Sequence, residues 1–136
     1  MTSAPHGILL DTSVVIKPPA SGLPAPPGGI AVSVVTIAEL HFGVGNAADP
    51  LEQQFRRSRV QRIINSLDVI TLDPPIAEVY GVLTSTVRLA GRNPRPRRFD
   101  LLIAATAIHH GLALATRNAD DFRHLERALA VIGVKD

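Results

Sequence analysis

From Leu101 to Ile108 every residue except Thr106 is apolar, and neither Gly nor Pro interrupts the run. Three alanines keep the segment thin, so it reads as a helix. A helix that is apolar nearly all round belongs in a core. Its first turn nevertheless carries a carboxylate, Asp100, behind Arg97 and Arg98. An acid at a helix start is favoured by the helix dipole whether or not it has a further role. The function of the chain therefore turns on whether other acids are placed to meet Asp100.

The chain has 136 residues, the size of one domain with a real core. Hydrophobic residues make up 46% and charged residues 19%, which favours a globular protein over a disordered one. Cysteine is absent, which excludes disulfides and thiolate metal sites and fits a reducing compartment. The N-terminus lacks the basic and apolar regions of a signal peptide. No apolar run approaches the roughly 20 residues that a membrane span needs. A cytoplasmic protein with no membrane association is the expectation. The net charge of +2 names no partner, but nearly all the positive charge is arginine, whose fork suits phosphate. An arginine-preferring genome explains that bias equally well.

Apolar runs alternate with helical patterns. Gly7–Leu10 reads as a buried strand ending at Asp11, followed by Thr12, Ser13 and a short helix at 14–16. Residues 17–29, rich in Pro and Gly, read as an exposed, partly mobile loop. A second strand at 30–33 runs into a helix capped by Ser33, in which Glu39 is the only charge between Val34 and Leu40. A Glu in such a run faces a polar cluster, a partner or a metal, unless the helix merely has a wet side there. Asp49-Pro50 opens a long helix to about Leu67. Leu51, Phe55, Ile63, Ile64 and Leu67 supply its apolar positions, and Arg56, Arg57, Arg59 and Arg62 crowd its middle. A third strand spans 69–72 and ends at Asp73-Pro74-Pro75. A helix from Ile76 to Ala90 is closed by Gly91. The basic loop Arg92–Arg98 leads into the Asp100 helix, which His109-His110-Gly111 ends. The fourth strand, 112–115, precedes Thr116-Arg117-Asn118, where Asn118 is placed to cap a short helix. An edge strand at 130–134 closes the chain. Strands alternating with helices predict a three-layer α/β/α sandwich around a mostly parallel sheet.

In such a sheet, strand C-termini and helix N-termini share one edge. Asp11, Glu39, Asp100 and the acids after Asn118 can therefore converge there. So many carboxylates disfavour one another's ionised forms, and a divalent cation resolves the conflict. Carboxylate and water oxygens suit Mg²⁺ or Mn²⁺, and the lack of Cys and of well-placed His argues against zinc. A carboxylate-held cation beside the arginines of the 92–98 loop suggests phosphodiester chemistry, with Arg92, Arg95, Arg97 and Arg98 as candidate contacts to RNA.

Four stretches carry a resemblance. Leu9-Leu10-Asp11-Thr12-Ser13-Val14, Ser33–Leu40, Arg98–Ala107 and Thr116-Arg117-Asn118-Ala119-Asp120-Asp121-Phe122 resemble, in order, the motifs of PIN-domain proteins. The likeness is greatest to the VapC-type toxin ribonucleases of bacterial toxin–antitoxin pairs, and it spans nearly the whole chain. The resemblance implies a Mg²⁺-dependent endoribonuclease, a homodimer, and inhibition by a cognate antitoxin. It implies that Asp11 and Asp100 hold the metal most directly. Glu39 then completes the acidic cluster and acts on the attacking water. Many relatives carry Asp where this chain has Asn118, and many use the acid just before the Phe. Asp121 is therefore assigned as the fourth acid, supported by Thr12, Ser13, Thr116 and Asn118, with Asp120 exposed. The 17–29 segment is longer than is common.

Two other readings compete. A PIN-type nuclease of housekeeping RNA processing fits the same residues, and a catalytically inactive RNA- or protein-binding module keeps only the fold. A response-regulator receiver needs an acidic pair after its first strand, whereas Asp11 stands alone. A haloacid-dehalogenase-type phosphatase needs a second Asp where this chain has Ser13.

Overall fold

The computed structural model describes residues 6–23 and 26–136. Five strands form one sheet: β1 (Ile8–Leu10), β2 (Ile30–Ser33), β3 (Asp68–Ile70), β4 (Ala113–Thr116) and β5 (Val131–Gly133). Their order is β3-β2-β1-β4-β5, and every pairing is parallel. The expected mostly parallel sheet is thus parallel throughout its described strands. The first three strands are laid down outward from β1 on one side. The chain then crosses back to place β4 on the other side. The order reverses between β1 and β4, which makes their carboxyl ends the switch point where open α/β sheets bind ligands.

Alternation within each strand divides the core in two. Leu9, Ala31 and Leu114 face the cluster beneath α4 (Pro74–Leu89) and α5 (Arg98–His110). Ile8, Leu10, Val32, Ala113 and Ala115 face the cluster beneath α1 (Thr12–Ile16), α2 (Val34–Gly45) and α3 (Pro50–Ser66). Strands buried on both faces need apolar residues at every position, which is why they read as continuous runs. The thin side of α5 lies deepest: Ala104, Ala105 and Ala107 are fully buried. Its last turn ends in Gly111 at φ 66°, with Leu112 N–H bonded to the Ala107 carbonyl at 2.8 Å. This is the left-handed cap expected of a helix-ending glycine.

Several boundaries differ from expectation. α4 begins two residues earlier than Ile76, because the Asp73 side chain accepts the Ile76 N–H at 3.1 Å. β3 ends at Ile70, leaving Leu72 exposed. On α3 only part of the expected apolar set reaches the core, where Ile63 and Leu67 pack against it. Val60 is the residue the helix buries, while Leu51, Phe55 and Ile64 are exposed. Arg56 on this helix is no free cation; it pairs with Glu52 at 3.0 Å and donates to the Gly43 carbonyl at 2.7 Å. Inside the basic loop, Arg95–Arg97 form a 3-10 turn.

Residues 24–25 of the Pro-rich segment lie outside the described residues. Its end is tied down: Ile8 N–H bonds the Gly29 carbonyl at 3.1 Å, and a Cβ on Gly28 would fall 1.0 Å from the His6 carbonyl oxygen. Only glycine permits that backbone approach.

Candidate active site

Asp11 leaves β1 at the switch point. Its N–H donates to the Ala115 carbonyl at 2.9 Å, which extends the β1–β4 ladder by one bond. Asp11 is 4% exposed, and a buried carboxylate needs donors. Ser13 Oγ–H and Thr116 Oγ1–H both donate to its Oδ2, at 2.7 and 2.9 Å. Each hydroxyl is itself oriented by a backbone donor: Arg117 N–H bonds Ser13 Oγ at 3.1 Å, and Asn118 N–H bonds Thr116 Oγ1 at 3.0 Å. Asp11 occupies the N-cap position of α1 without capping it through its side chain. Oδ2 is already engaged, and among the described residues no donor bonds Oδ1. One oxygen is thus clamped and the other is open.

Glu39 is half-buried on the first turns of α2. Thr12 Oγ1–H donates to its Oε1 at 2.7 Å. That leaves Thr12 only acceptor capacity, so the 2.9 Å contact with Thr36 Oγ1 has Thr36 as donor. The relay Thr36 to Thr12 to Glu39 fixes one face of the carboxylate from the helix that Asp11 starts.

Asp100 is in the first turn of α5. Its pKa is raised to about 6. Burial is the largest cause, and the negative charge of Asp11 comes next; Glu39 and Asp121 add to it, while Arg97 opposes it. Three acids from three other elements therefore act on Asp100 at this sheet edge. Arg97 Nη2 stands 4.0 Å from Asp100 Oδ2 and donates to the Asp121 carbonyl, and its guanidinium lies 5.8 Å from the centre of the Phe122 ring. Arg97 points inward and joins α5 to the turn at 119–125. Arg92 and Arg95 are exposed. Arg98 is exposed too, donating to the Arg95 carbonyl at 3.0 Å and covering the Phe99 ring at 4.8 Å.

The fourth motif differs in detail from expectation. The segment Ala119–Leu125 is a 3-10 helix, and Asn118 makes no side-chain cap. Its backbone, at φ −120° and ψ 53°, is not extended like that of the capping residues Ser33, Asp49 and Asp73. Asp121 is exposed at the site's rim. Asp120 is also exposed and pairs with Arg123. Nearby, the pKa of His124 is lowered by burial and then by Arg97 and Arg92, while Asp121 opposes the shift.

Three features are not legible from sequence patterns. Thr36 is the sole polar residue of the run 34–38, which hints at a task for it but not which. Arg117 Nε–H reaches the Lys17 carbonyl at 2.8 Å and ties the start of the Pro-rich segment to the end of β4. A groove of about 790 Å³ runs beside Glu39 and Thr12, between α2 and the start of α5, with Phe42 and Phe99 on its walls.

Among the described residues, no three Asp, Glu or His side chains close into a cage for a cation. The donor set suits a looser arrangement. Mg²⁺ keeps several waters and takes only one or two carboxylates, and Asp11 Oδ1 and Asp100 are available for that.

A model of the PIN domain matches residues 8–128. The chain is a VapC-type member of the PIN-domain family. It is 36% identical to ribonuclease VapC8 of Mycobacterium tuberculosis over 109 residues, 79% of this chain and 96% of that protein. It is also 36% identical to ribonuclease VapC4 of the same organism over 89 residues, 65% of this chain but just under two thirds, 66%, of VapC4. A crystal structure of VapBC-5 from M. tuberculosis, described as a member of the VapBC family of toxin-antitoxin systems, superposes with a TM-score of 0.79. That match has 30% identity and covers 97% of this chain and 100% of that chain. Among the described residues, no helix of the PIN domain is long and apolar enough to cross a membrane.

Proposed function

We propose that this PIN domain is a Mg²⁺-dependent endoribonuclease, with Mn²⁺ as an alternative ion, and the toxin of a toxin–antitoxin pair. The observation that carries the reading is the electrostatic state of Asp100. Its affinity for a proton is raised by burial and by Asp11, Glu39 and Asp121 together. A site that gathers more negative charge at a switch point than Arg97 offsets is poised for a cation. Relatives named ribonucleases, and the toxin–antitoxin membership of the superposed VapBC-5, support the choice of RNA and of an antitoxin partner.

Asp11 and Asp100 would hold the ion. When bound, it supplies a Lewis acid that lowers the pKa of water and offsets charge on phosphate oxygens. The remaining work falls to the chain. Ser13 and Thr116 clamp Asp11 Oδ2 and leave Oδ1 without a donor among the described residues. Thr12 fixes Glu39 Oε1, so Oε2 is the atom available to take a proton from the attacking water. Arg97 holds Asp100 against the 119–125 turn and limits the rise of its pKa. The exposed Arg92 and Arg95 offer phosphate contacts beside it. A homodimer and a cytoplasmic location go with this reading.

The test is RNA cleavage by purified protein with Mg²⁺ or EDTA, alongside Asp11→Asn and Asp100→Asn. Cleavage that needs the metal and disappears in both variants supports the assignment. Wild-type rates in both variants would refute it.

A further inference from the structure

Aromatic side chains make up 4% of this chain, with four Phe, one Tyr and no Trp. Phe122 is buried in the core, whereas Phe42 and Phe99 are 72% and 45% exposed. Both line the groove of about 790 Å³ that also touches Thr12 and Glu39. This volume lies in the usual range for small-ligand clefts, about 300–1,000 Å³. Leu72, left exposed by the early end of β3, adds to the same wall. The groove is therefore apolar along its length and has acidic chemistry at one side.

Its charge indicates what it holds. The guanidinium of Arg98 lies 4.8 Å from the centre of the Phe99 ring, and Arg98 lines the groove as well. Among the described residues, no carboxylate pairs with Arg98. Exposed aromatic rings beside a guanidinium that covers one face of Phe99, donates to the Arg95 carbonyl and has no carboxylate partner match one nucleotide unit, a base to stack and a phosphate to neutralise. An apolar peptide would fill the groove but leave that cation unused.

We infer that this groove is a nucleobase subsite of the proposed nuclease, with Phe99 and Phe42 as its stacking faces and Arg98 on the adjoining phosphate. The inference rests on the ribonuclease reading and adds a position to it: the base next to the cleaved linkage leaves its stack and sits between α2 and α5. A paired base cannot do this, since its faces are occupied within the helix. The strand at the site is therefore unpaired over at least that nucleotide.

The absence of tryptophan makes a direct test possible. Phe99→Trp and, separately, Phe55→Trp are introduced into the full chain carrying Asp11→Asn, the substitution expected to prevent turnover. Phe55 is also exposed, at 63%, but lies on α3, outside the groove. The probe is an unstructured 12-nucleotide oligoribonucleotide, compared with the same strand in a duplex. Binding is followed by anisotropy of a labelled strand. We expect the single strand to quench emission saturably in the Phe99→Trp protein and not in the Phe55→Trp protein, and the duplex to quench neither. Without a tryptophan, Phe99→Ala and Phe42→Ala should each weaken single-strand binding about fivefold or more. Binding by anisotropy with no quenching at position 99 would overturn the subsite and leave the nuclease reading intact. No binding of any RNA, together with no cleavage by wild type, would overturn both. An emission change driven by protein concentration alone would assign the groove to a second copy of the chain and overturn the proposal.

Discussion

Thr116 donates its hydroxyl to the carboxylate of Asp11, 2.9 Å away and 105 residues earlier in the chain. Both residues stand one step past the paired register Leu10–Ala115, so the bond crosses the point where the strand order reverses. Thr116→Val keeps the shape and removes the donor. It also leaves the Asn118 N–H without its acceptor. We expect the metal-free protein to lose about 1–3 kcal/mol, read as a lower Tm by calorimetry. Affinity for Mn²⁺ should fall about 10–100-fold by titration, as it does when a partner that orients a ligand is lost. Unchanged affinity would show that the clamp on Oδ2 does not orient Oδ1.

Asp100 makes the metal-free protein sensitive to pH. Its folded pKa of about 6 lies above the ordinary 3.8. The folded state therefore binds the proton more tightly than the unfolded state. Its contribution to stability is full below about pH 4 and is lost as pH rises through 6. At pH 7.5 the ionised group works against folding. Asp100→Asn removes this penalty, and the metal-free variant should be more stable than wild type at pH 7.5 but not at pH 4. The side chain is 39% exposed, so solvent screens part of the effect and about 1 kcal/mol is expected. Thermal melts in EDTA at the two pH values decide it. Equal Tm differences at both would show that Asp100 is not under repulsion.

Much of the fold was legible because the three central strands are buried on both faces. A strand without a wet side must be apolar throughout, and Gly7–Leu10, Ile30–Ser33 and Leu112–Ala115 read that way. Gly111 announced the end of α5 because few other residues accept its backbone geometry. The failures have a common cause: periodicity shows that a residue is apolar, not that a neighbour covers it. Leu51, Phe55 and Ile64 are apolar residues of α3 left exposed, whereas Val60, Ile63 and Leu67, spaced three and four apart, share the face that packs inward. Asp73 reads as the end of a strand although it repeats the Asp-Pro start of α3. Within the site, the acids could be placed at one edge from topology alone. The groups that orient them could not, since Thr12 to Glu39 and Thr116 to Asp11 are contacts between distant segments. Arg97 illustrates this best. Sequence set it among the arginines facing RNA, whereas its side chain lies between Asp100 and the Asp121 carbonyl.

That placement gives Arg97 an effect distinguishable from the arginines around it. Arg97→Gln should raise the pKa of Asp100 further, because the guanidinium is the charge that opposes the rise. The acid limb of the cleavage-rate profile should move to higher pH. Arg92→Gln and Arg95→Gln should leave that limb in place and flatten the salt dependence of RNA binding instead. A pH profile unchanged in Arg97→Gln would mean that Arg97 acts only on the backbone of the 119–125 turn.

Thr12 separates the orientation of Glu39 from its presence. Thr12→Ser retains the hydroxyl that donates to Oε1, and Thr12→Val removes it while filling the same space. Thr36 would then lose its acceptor in the valine variant as well, so a stability loss of about 1–2 kcal/mol is expected there. The sharper readout is kinetic. With Glu39 free to rotate, a proton acceptor is still present but spends less time aligned with the attacking water. kcat should fall about tenfold in Thr12→Val with KM little changed, and Thr12→Ser should restore most of it. Stability is compared first, at a temperature well below both melting transitions, so that unfolding does not enter the rate. A fall in kcat that serine does not rescue would place the effect in packing at the start of α1, and the Thr36–Thr12–Glu39 relay would lose its role.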